Sequence, residues 1–235
     1  MTMFKQLYDE ISSTLTYVLI DDESRQAAII DPVDHHLDDY IALSKQLNIQ
    51  SKYALETHLH ADHITASGQL RKVLGVQTAV SEQCRADSAD WQLNDGDEIT
   101  FGQEGIKVIA TPGHTAGSLS YLWQDKLFTG DALLINGCGR TDFQGGDAGV
   151  LFDSITQRIF TLPSETLIYP GHDYQGRRVS NIAQEKLINS RLAKQSREGF
   201  IATMAALNLP NPKMIDVAVT ANRKCGVDET TALQG

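Results

Sequence analysis

Residues 57–63 have the sequence Thr57-His58-Leu59-His60-Ala61-Asp62-His63, which places three histidines and one aspartate within six positions. The cluster follows directly after a short apolar stretch, residues 53–55, that is typical of a buried strand. Burying several imidazoles at a strand end costs free energy unless a ligand or hydrogen bonds replace the lost water. The stretch therefore predicts a metal-binding turn at the end of a β-strand.

Three further predicted strands end in the same way, each on a glycine-containing turn that delivers a histidine or an aspartate. These turns are Thr111-Pro112-Gly113-His114, Thr129-Gly130-Asp131 and Tyr169-Pro170-Gly171-His172. A rigid sheet that holds such turns at its strand ends can bring nitrogen and oxygen ligands together around a metal. Asp131 alone would be interpreted as a cap or turn residue, but in the company of these histidines we interpret it as a ligand.

A second histidine pair, His35 and His36, follows Asp34 at a predicted helix start. Histidines in loops are most often solvated or hydrogen-bonded to neighbouring groups. This pair is interpreted in that way, and the sequence pattern requires no metal to account for it.

The hydrophobic pattern alternates short strands with amphipathic helices. A hairpin is predicted from residues 15–20 and 27–30, and helices are predicted over residues 36–47, 64–74 and 149–160. Other short strands are expected at residues 78–80, 106–110, 119–123, 126–128 and 166–169. A helical region over residues 179–207 is expected to break near Asn189 or Gly199. This order predicts an α/β class with two sheets covered by helices, in a single domain over residues 1–235.

Composition narrows the classes of partner. The 235 residues include 30 acidic and 20 basic side chains, a formal net charge of −10. This balance argues against nucleic acid and against an anionic membrane surface, which need clustered lysine and arginine. No stretch approaches the roughly 18 apolar residues that span a bilayer, and the first residues lack a secretory signal pattern. With only three widely spaced cysteines, the expectation is a cytoplasmic protein with reduced thiols.

These motifs resemble a known superfamily. Residues 58–63 match the HxHxDH signature of the metallo-β-lactamase superfamily, and His114, Asp131 and His172 fall where that superfamily places its remaining ligands. Within it, the chain resembles the persulfide dioxygenases over residues 60–68, 129–144, 169–174 and 215–227. The most specific segment is Gly137-Cys138-Gly139-Arg140-Thr141-Asp142-Phe143-Gln144. The resemblance implies a four-layer αββα sandwich of the metallo-β-lactamase type, with a short helical C-terminal extension.

The resemblance also implies one Fe(II) per chain, held by His58, His114 and Asp131. Two imidazoles and one carboxylate on one face of an octahedron leave positions open for substrate sulfur and O2, which suits oxygen activation. The residues that would orient these ligands are His60, Asp62, His63 and His172. In the binuclear hydrolases of the superfamily those four instead complete two metal sites. The number of ligands therefore leaves both one metal and two metals open.

On the substrate side, Arg140, Tyr174 and Arg191 match positions that line the glutathione site in the family. Arginine pairs with carboxylates, and tyrosine offers a hydroxyl beside an apolar face. The alternative for Arg191 is a solvated helix residue. Cys225 matches a cysteine near the substrate sulfur in the family, and a buried inert thiol is an equally good interpretation.

The activity implied by the resemblance is oxidation of glutathione persulfide by O2 and water to sulfite and glutathione. A glyoxalase II-type thioester hydrolase with two metals is the alternative, and a non-catalytic metal-binding or sulfur-carrier protein is a third hypothesis. The short C-terminal extension and residues 137–144 favour the dioxygenase. The sequence does not determine the thiol that carries the persulfide, and a homodimer is expected only by analogy with the fold.

Overall fold

In the computed structural model, residues 3–212 and 214–227 are described. They fall into two compact units, each outlined by its own internal contacts. The first unit comprises the described residues within Met1–Leu93, Thr100–Glu104 and Asn211–Gly235, and the second comprises Asn94–Ile99 and Gly105–Pro210.

The first unit contains a six-stranded sheet in the order β1-β2-β3-β4-β5-β6. Its strands are Met3–Tyr8 (β1), Leu15–Ile20 (β2), Gln26–Ile30 (β3), Gln50–Leu55 (β4), Gln77–Ser81 (β5) and Trp91–Leu93 (β6). The first three strands pair antiparallel, whereas β3 to β6 run parallel to one another. Parallel strands end at the same edge of a sheet, so the segments that follow β3 and β4 emerge side by side.

The described residues of this unit form the α-helices Leu37–Gln46 (α1), Ser67–Leu74 (α2) and Ile215–Asn222 (α6). Tyr40 of α1 and Leu70 of α2 are fully buried with Val18, Ile29 and Ala54 of the sheet in one hydrophobic cluster. This burial of apolar side chains is the main stabilising contribution in the unit. The helices therefore fix the sheet edge on which the histidine turn is built.

The second sheet has the order β12-β11-β10-β9-β8-β7. Its strands are Glu98–Phe101 (β7), Glu104–Ala110 (β8), Leu119–Trp123 (β9), Lys126–Gly130 (β10), Leu167–Pro170 (β11) and Ser180–Asn181 (β12). The β10–β11 pair is parallel, whereas β8–β9, β9–β10 and β11–β12 are antiparallel. The turns that follow β10 and β11 therefore start from one edge of this sheet.

The helices of the second unit are Ala148–Ser154 (α3), Ile182–Ile188 (α4) and Arg197–Ala205 (α5), and α3 continues into a π-helical turn over Ile155–Ile159. Leu151, Ile155 and Phe200 are buried with Leu127 and Ile168 of the sheet. These side chains are almost completely removed from water, so they form the close-packed apolar core of this unit.

Most of the predicted elements are confirmed, and the largest difference lies in the helical region after residue 179. Helix α4 ends at Ile188 because Asn189 leaves helical geometry, and its side-chain amide donates to the carbonyl oxygen of Gly137 at 3.0 Å. Helix α5 starts only at Arg197, where the Ser196 hydroxyl accepts from the Gly199 amide at 3.1 Å. Gly199 is thus inside a helix rather than at a break. Among the helices in the described part of the chain, none is long and apolar enough to cross a membrane.

Candidate metal centre

The predicted histidine turn follows β4 in the first unit, and its imidazoles are almost completely buried. The exposed fractions of His58, His60 and His63 are 2%, 0% and 3%. Their rings lie in succession, with centroids 4.1 Å apart between His58 and His60 and 4.3 Å apart between His60 and His63. Nitrogen and oxygen atoms of His60, Asp62 and His63 converge closely enough to hold a metal ion. The turn therefore gathers side chains of the types that bind metals.

Hydrogen bonds assign the tautomer of His58. The Thr57 hydroxyl donates to Asp31 Oδ2 at 2.8 Å, and the same hydroxyl oxygen lies 3.0 Å from His58 Nδ1. A hydroxyl has one hydrogen, and because that hydrogen goes to Asp31, the oxygen accepts from the Nδ1–H of His58. The Nε2 atom of His58 consequently keeps its lone pair, which is the form that binds a metal.

Asp31 and Glu56 form a buried carboxylate pair behind His60. His60 Nε2 lies 3.1 Å from Asp31 Oδ1 and 3.5 Å from Glu56 Oε2. Burial alone would lower the pKa of His60, but the charge and hydrogen bond of Asp31 raise it overall. Burial raises the pKa of Glu56, and the positive charge of His60 lowers it in part. The two carboxylates therefore lie against His60 Nε2 and surround this edge of the ring with negative charge.

A side chain near the end of α6 holds the histidine turn by its backbone. Asn222 Nδ2 donates to the carbonyl oxygens of His60 and His63, both at 2.9 Å, and Asn222 Oδ1 accepts from the Thr65 amide at 2.9 Å. Asn222 is only 4% exposed. A buried amide with these three hydrogen bonds rigidifies the turn, because the alternative is an unsatisfied polar group.

Thr14 supports the turn through contacts with two of its side chains. Its hydroxyl oxygen lies 3.2 Å from His63 Nδ1 and donates to Asp62 Oδ2 at 3.3 Å. Asp62 Oδ2 is also 3.0 Å from His63 Nδ1. Asp62 and His63 are therefore oriented by the loop that precedes β2.

The second unit brings together His114, Asp131 and His172. His114 Nε2 lies 3.7 Å from Asp131 Oδ2, and His172 Nδ1 lies 2.6 Å from Asp131 Oδ1. His114 Nδ1 is 2.7 Å from the carbonyl oxygen of Arg140. A carbonyl oxygen can only accept, so Nδ1 carries the hydrogen and the lone pair on Nε2 faces Asp131. Two imidazoles and one carboxylate are thus fixed in orientations that suit a metal.

Two glycines allow this close approach. A Cβ atom at Gly139 would lie 2.3 Å from the Asp131 carbonyl oxygen and 2.8 Å from His114 Nδ1. A Cβ atom at Gly171 would lie 2.8 Å from Asp131 Oδ1. The turn at Gly130 has φ +50°, a left-handed conformation that glycine adopts without strain. These glycines therefore leave room for the carboxylate and imidazole of the predicted ligands.

Arg140 and Arg191 are in the second unit, and both make hydrogen bonds within it. Arg140 donates from Nε and one terminal nitrogen to Asp142, both at 2.7 Å, and from another nitrogen to the Pro210 carbonyl oxygen at 2.6 Å. Arg191 donates to the carbonyl oxygen of Cys138 at 2.6 Å. Each guanidinium is therefore already oriented by partners of its own unit.

Tyr174 and Cys225 differ sharply in exposure. Tyr174 is 71% exposed, and its ring stacks on His172 with centroids 6.0 Å apart. Cys225, in the first unit, is buried, and its thiol donates to the Thr78 hydroxyl oxygen at 3.8 Å. Burial raises the pKa of the Cys225 thiol. A protonated, enclosed thiol agrees with the interpretation of Cys225 as inert.

Comparison with known proteins identifies the family. The sequence profile described as the metallo-β-lactamase superfamily matches residues 13–172. The persulfide dioxygenase ETHE1, mitochondrial, of Homo sapiens is 47% identical over 233 residues, which cover 98% of this chain and 91% of the relative. The crystal structure of ETHE1 from Myxococcus xanthus superposes with a TM-score of 0.94 at 52% identity, covering 96% of this chain and 100% of that one.

The chain belongs to the persulfide dioxygenase family. Its predicted family and its predicted metallo-β-lactamase fold are both confirmed. A hydroxyacylglutathione hydrolase of Brucella anthropi is more distant, with 36% identity over 173 residues that cover 71% of this chain and 65% of the hydrolase. Membership of the persulfide dioxygenases, together with the clustered histidine and aspartate side chains, supports a metal centre.

Four residues that support the site in this persulfide dioxygenase are not predicted from the sequence: Thr14, Asp31, Glu56 and Asn222. Asp31 and Glu56 each follow the last residue of a parallel strand, β3 and β4. The strand-end pattern that identified the histidines would have found both carboxylates. Asn222 carries no such signal, because only the tertiary fold brings α6 to residues 60–65.

Proposed function

We propose that this chain is a persulfide dioxygenase that oxidises glutathione persulfide with O2 and water to sulfite and glutathione. The observation that carries the proposal is the 47% identity to a human persulfide dioxygenase over nearly the whole length of both chains. The reaction balances, since one persulfide, one O2 and one water give one thiol and one sulfurous acid. Both oxygen atoms of O2 go to the outer sulfur, and water then releases glutathione.

One Fe(II) per chain is the proposed metal, with His58, His114 and Asp131 as its ligands. Bound Fe(II) would supply open positions at which the outer sulfur and O2 are activated together. The proposal is supported by the chemistry of the donors, one carboxylate and two imidazoles whose Nδ1 atoms carry the hydrogen. This set is typical of non-heme iron oxygenases, whereas zinc sites favour a nearly tetrahedral arrangement.

The surrounding residues orient these ligands and move no protons themselves in the oxygenation step. Thr57 and the Arg140 carbonyl oxygen hold the Nδ1 hydrogens of His58 and His114. His172 donates to Asp131 Oδ1, which leaves Oδ2 for the metal. His60, Asp62 and His63 complete the proposed surroundings, and the imidazoles of His60 and His63 are buried.

For substrate binding we propose Tyr174, Arg140, Arg191 and Cys225, as implied by the family. The exposed Tyr174 ring beside His172 offers an apolar face and a hydroxyl to a peptide-like ligand. Arg140 would have to share its guanidinium between Asp142 and a glutathione carboxylate. A homodimer and a cytoplasmic location belong to the proposal as well, and three buried free cysteines agree with reduced thiols.

Anaerobic purification with metal analysis, followed by an oxygen-electrode assay on glutathione persulfide, tests the function. The expected result is about one iron per chain with persulfide-dependent O2 uptake and stoichiometric sulfite. Asp131→Asn should lose both iron and activity, whereas Asp87→Asn, a change of the same type at an exposed residue, should keep both. Retention of one iron per chain by Asp131→Asn would refute its assignment as a ligand.

The hydrolase alternative predicts a different set of results. Two zinc or mixed metals per chain, no O2 uptake and hydrolysis of S-lactoylglutathione would move the protein to the glyoxalase II type. Full metal occupancy without turnover of either substrate would favour the non-catalytic hypothesis.

A further inference from the structure

A second group of metal-binding side chains lies outside the catalytic residues, where the loop after β1 meets the start of α1. Asp9 Oδ1 lies 2.8 Å from His35 Nε2 and 3.2 Å from His36 Nε2. The two imidazole rings are neighbours, with centroids 4.6 Å apart. Both Nε2 atoms therefore point at one carboxylate oxygen, and the three donor atoms form one compact group.

The outer nitrogens of both rings also face carboxylates. His35 Nδ1 lies 3.2 Å from Asp34 Oδ1, and His36 Nδ1 lies 2.7 Å from Asp39 Oδ2. In metal sites, a ligating histidine usually donates its other ring nitrogen to a carboxylate, which fixes its orientation and increases its basicity. His35 and His36 therefore have the arrangement of metal-binding histidines, with Asp34 and Asp39 as the carboxylates that accept from their other ring nitrogens.

The number of ring hydrogens on His35 and His36 favours a cation between their Nε2 atoms and Asp9. A neutral imidazole has one N–H, so it can donate to only one of the two carboxylates that it faces. Without a metal, all four contacts need two imidazolium rings side by side, which repel each other. A cation between the Nε2 atoms and Asp9 lets each ring keep its Nδ1–H for Asp34 or Asp39. Three carboxylates around two neutral imidazoles also give a net charge of −3, which a divalent ion offsets in part.

We propose that Asp9, His35 and His36 form a second metal site, which binds a divalent transition metal such as Zn²⁺. Imidazole and carboxylate ligands suit zinc, and imidazoles disfavour Mg²⁺ and Ca²⁺. Ligand atoms around a tetrahedral zinc stand roughly 3.3 Å apart for bonds of about 2.0–2.1 Å. The separation of 3.2 Å between His36 and Asp9 already matches, and that of 2.8 Å to His35 must open slightly.

Access and a place for water ligands are both present. The side chains of His35 and His36 are 40% and 31% exposed, so an ion can enter from solvent, whereas Asp9 is 3% exposed and anchored. A cavity of about 160 Å³ borders Asp9, His36 and Asp39 and has room for water. The site is thus half-open, with three protein ligands and space for a fourth ligand from solvent.

The ligand from the β1 loop is also linked to the histidine turn of the catalytic site. Ser12 Oγ donates to Asp9 Oδ2 at 2.5 Å and lies 2.6 Å from Thr14 Oγ1. Thr14 in turn contacts both Asp62 and His63. An ion bound at Asp9 therefore crosslinks the β1 loop to α1 and stiffens the support of that turn, so binding should raise the Tm.

Equilibrium dialysis of the metal-loaded enzyme against Zn²⁺, with metal analysis, tests the site. The wild type should retain one zinc per chain beyond its catalytic metal, and the double variant His35→Gln with His36→Gln should retain none. Asp38→Asn, a matched change at an exposed neighbouring residue, should bind zinc like the wild type. Equal zinc retention by the wild type and the double variant would overturn the proposal.

Two further variants separate the second metal site from the catalytic one. Asp39→Asn leaves all three ligands in place but removes an outer carboxylate, so zinc affinity should fall about 10–100-fold. His114→Ala should lose the proposed catalytic metal but still bind zinc at the second site. A failure of the proposed dioxygenase function would therefore leave this result unchanged. Addition of Zn²⁺ should raise the Tm of the wild type and of His114→Ala, and not that of the double variant.

Discussion

Replacing Asn222 with alanine should destabilise the histidine turn without touching any proposed metal ligand side chain. The substitution removes two hydrogen bonds to the carbonyl oxygens of His60 and His63 and one from the Thr65 amide, all 2.9 Å long. A hydrogen bond contributes about 1 kcal/mol net, so three at a buried site give a loss of about 3 kcal/mol. For a chain of this size, that loss corresponds to a decrease in Tm of roughly 6–12 °C.

Urea unfolding of the wild type and Asn222→Ala, each with its metal content measured, is the assay. Thr220→Ala, an exposed change on the same helix, is the control and should stay within about 0.5 kcal/mol of the wild type. Asn222→Asp should be at least as harmful as alanine, because a carboxylate oxygen would replace the donor that faces two carbonyl oxygens. If Asn222→Ala unfolds at the same urea concentration as Thr220→Ala, the turn does not depend on this amide.

Three other outcomes follow from the structure. Gly139→Ala should reduce metal content and activity at least about tenfold, because its Cβ atom would meet the Asp131 carbonyl oxygen at 2.3 Å; full metal occupancy would contradict this. Burial alone would lower the pKa of His35, but Asp9 raises it overall above 6.5. In metal-free buffer, the wild type should therefore be more stable than His35→Gln, and this advantage should be complete below pH 6.5. It should disappear as the pH rises through the folded-state pKa of His35. Urea unfolding at several pH values measures it. Ellman's reagent should label the native chain far more slowly than the urea-unfolded chain, because burial shields the cysteines and raises the pKa of Cys84 to about 12. Equal labelling rates would refute the enclosure of these thiols.

The sequence was informative wherever a strand ended in a metal-binding side chain. His58, His114 and Asp131 follow β4, β8 and β10 as predicted, and each lies in a turn after an apolar strand. Period-two apolar runs and glycine turns are local properties of the chain. The positions of these turns could therefore be predicted from the residues alone, and the family resemblance added the metal and the substrate.

The remaining features depend on tertiary contacts that no local pattern encodes. Strand β1 was missed because its residues are half-buried and mixed in polarity, and it is an edge strand that is held by pairing with β2. The pairing of His35 and His36 with Asp9 crosses 26 and 27 positions of the chain. The prediction that these histidines are hydrogen-bonded residues at a helix start is confirmed. No local sequence pattern indicates that they share the carboxylate of Asp9.

The hydrogen bonds from Asn222 to the histidine turn also set an order of events during synthesis. Asn222 follows His60 by 162 positions and Thr65 by 157. At about 5–20 residues per second, a ribosome needs roughly eight to thirty seconds to make the intervening chain. Throughout that interval the histidine turn exists on the nascent polypeptide without the amide that fixes its carbonyls. A fully shaped turn is therefore a late product of translation, and any metal that reaches the nascent chain earlier meets a looser set of ligands than the finished protein offers.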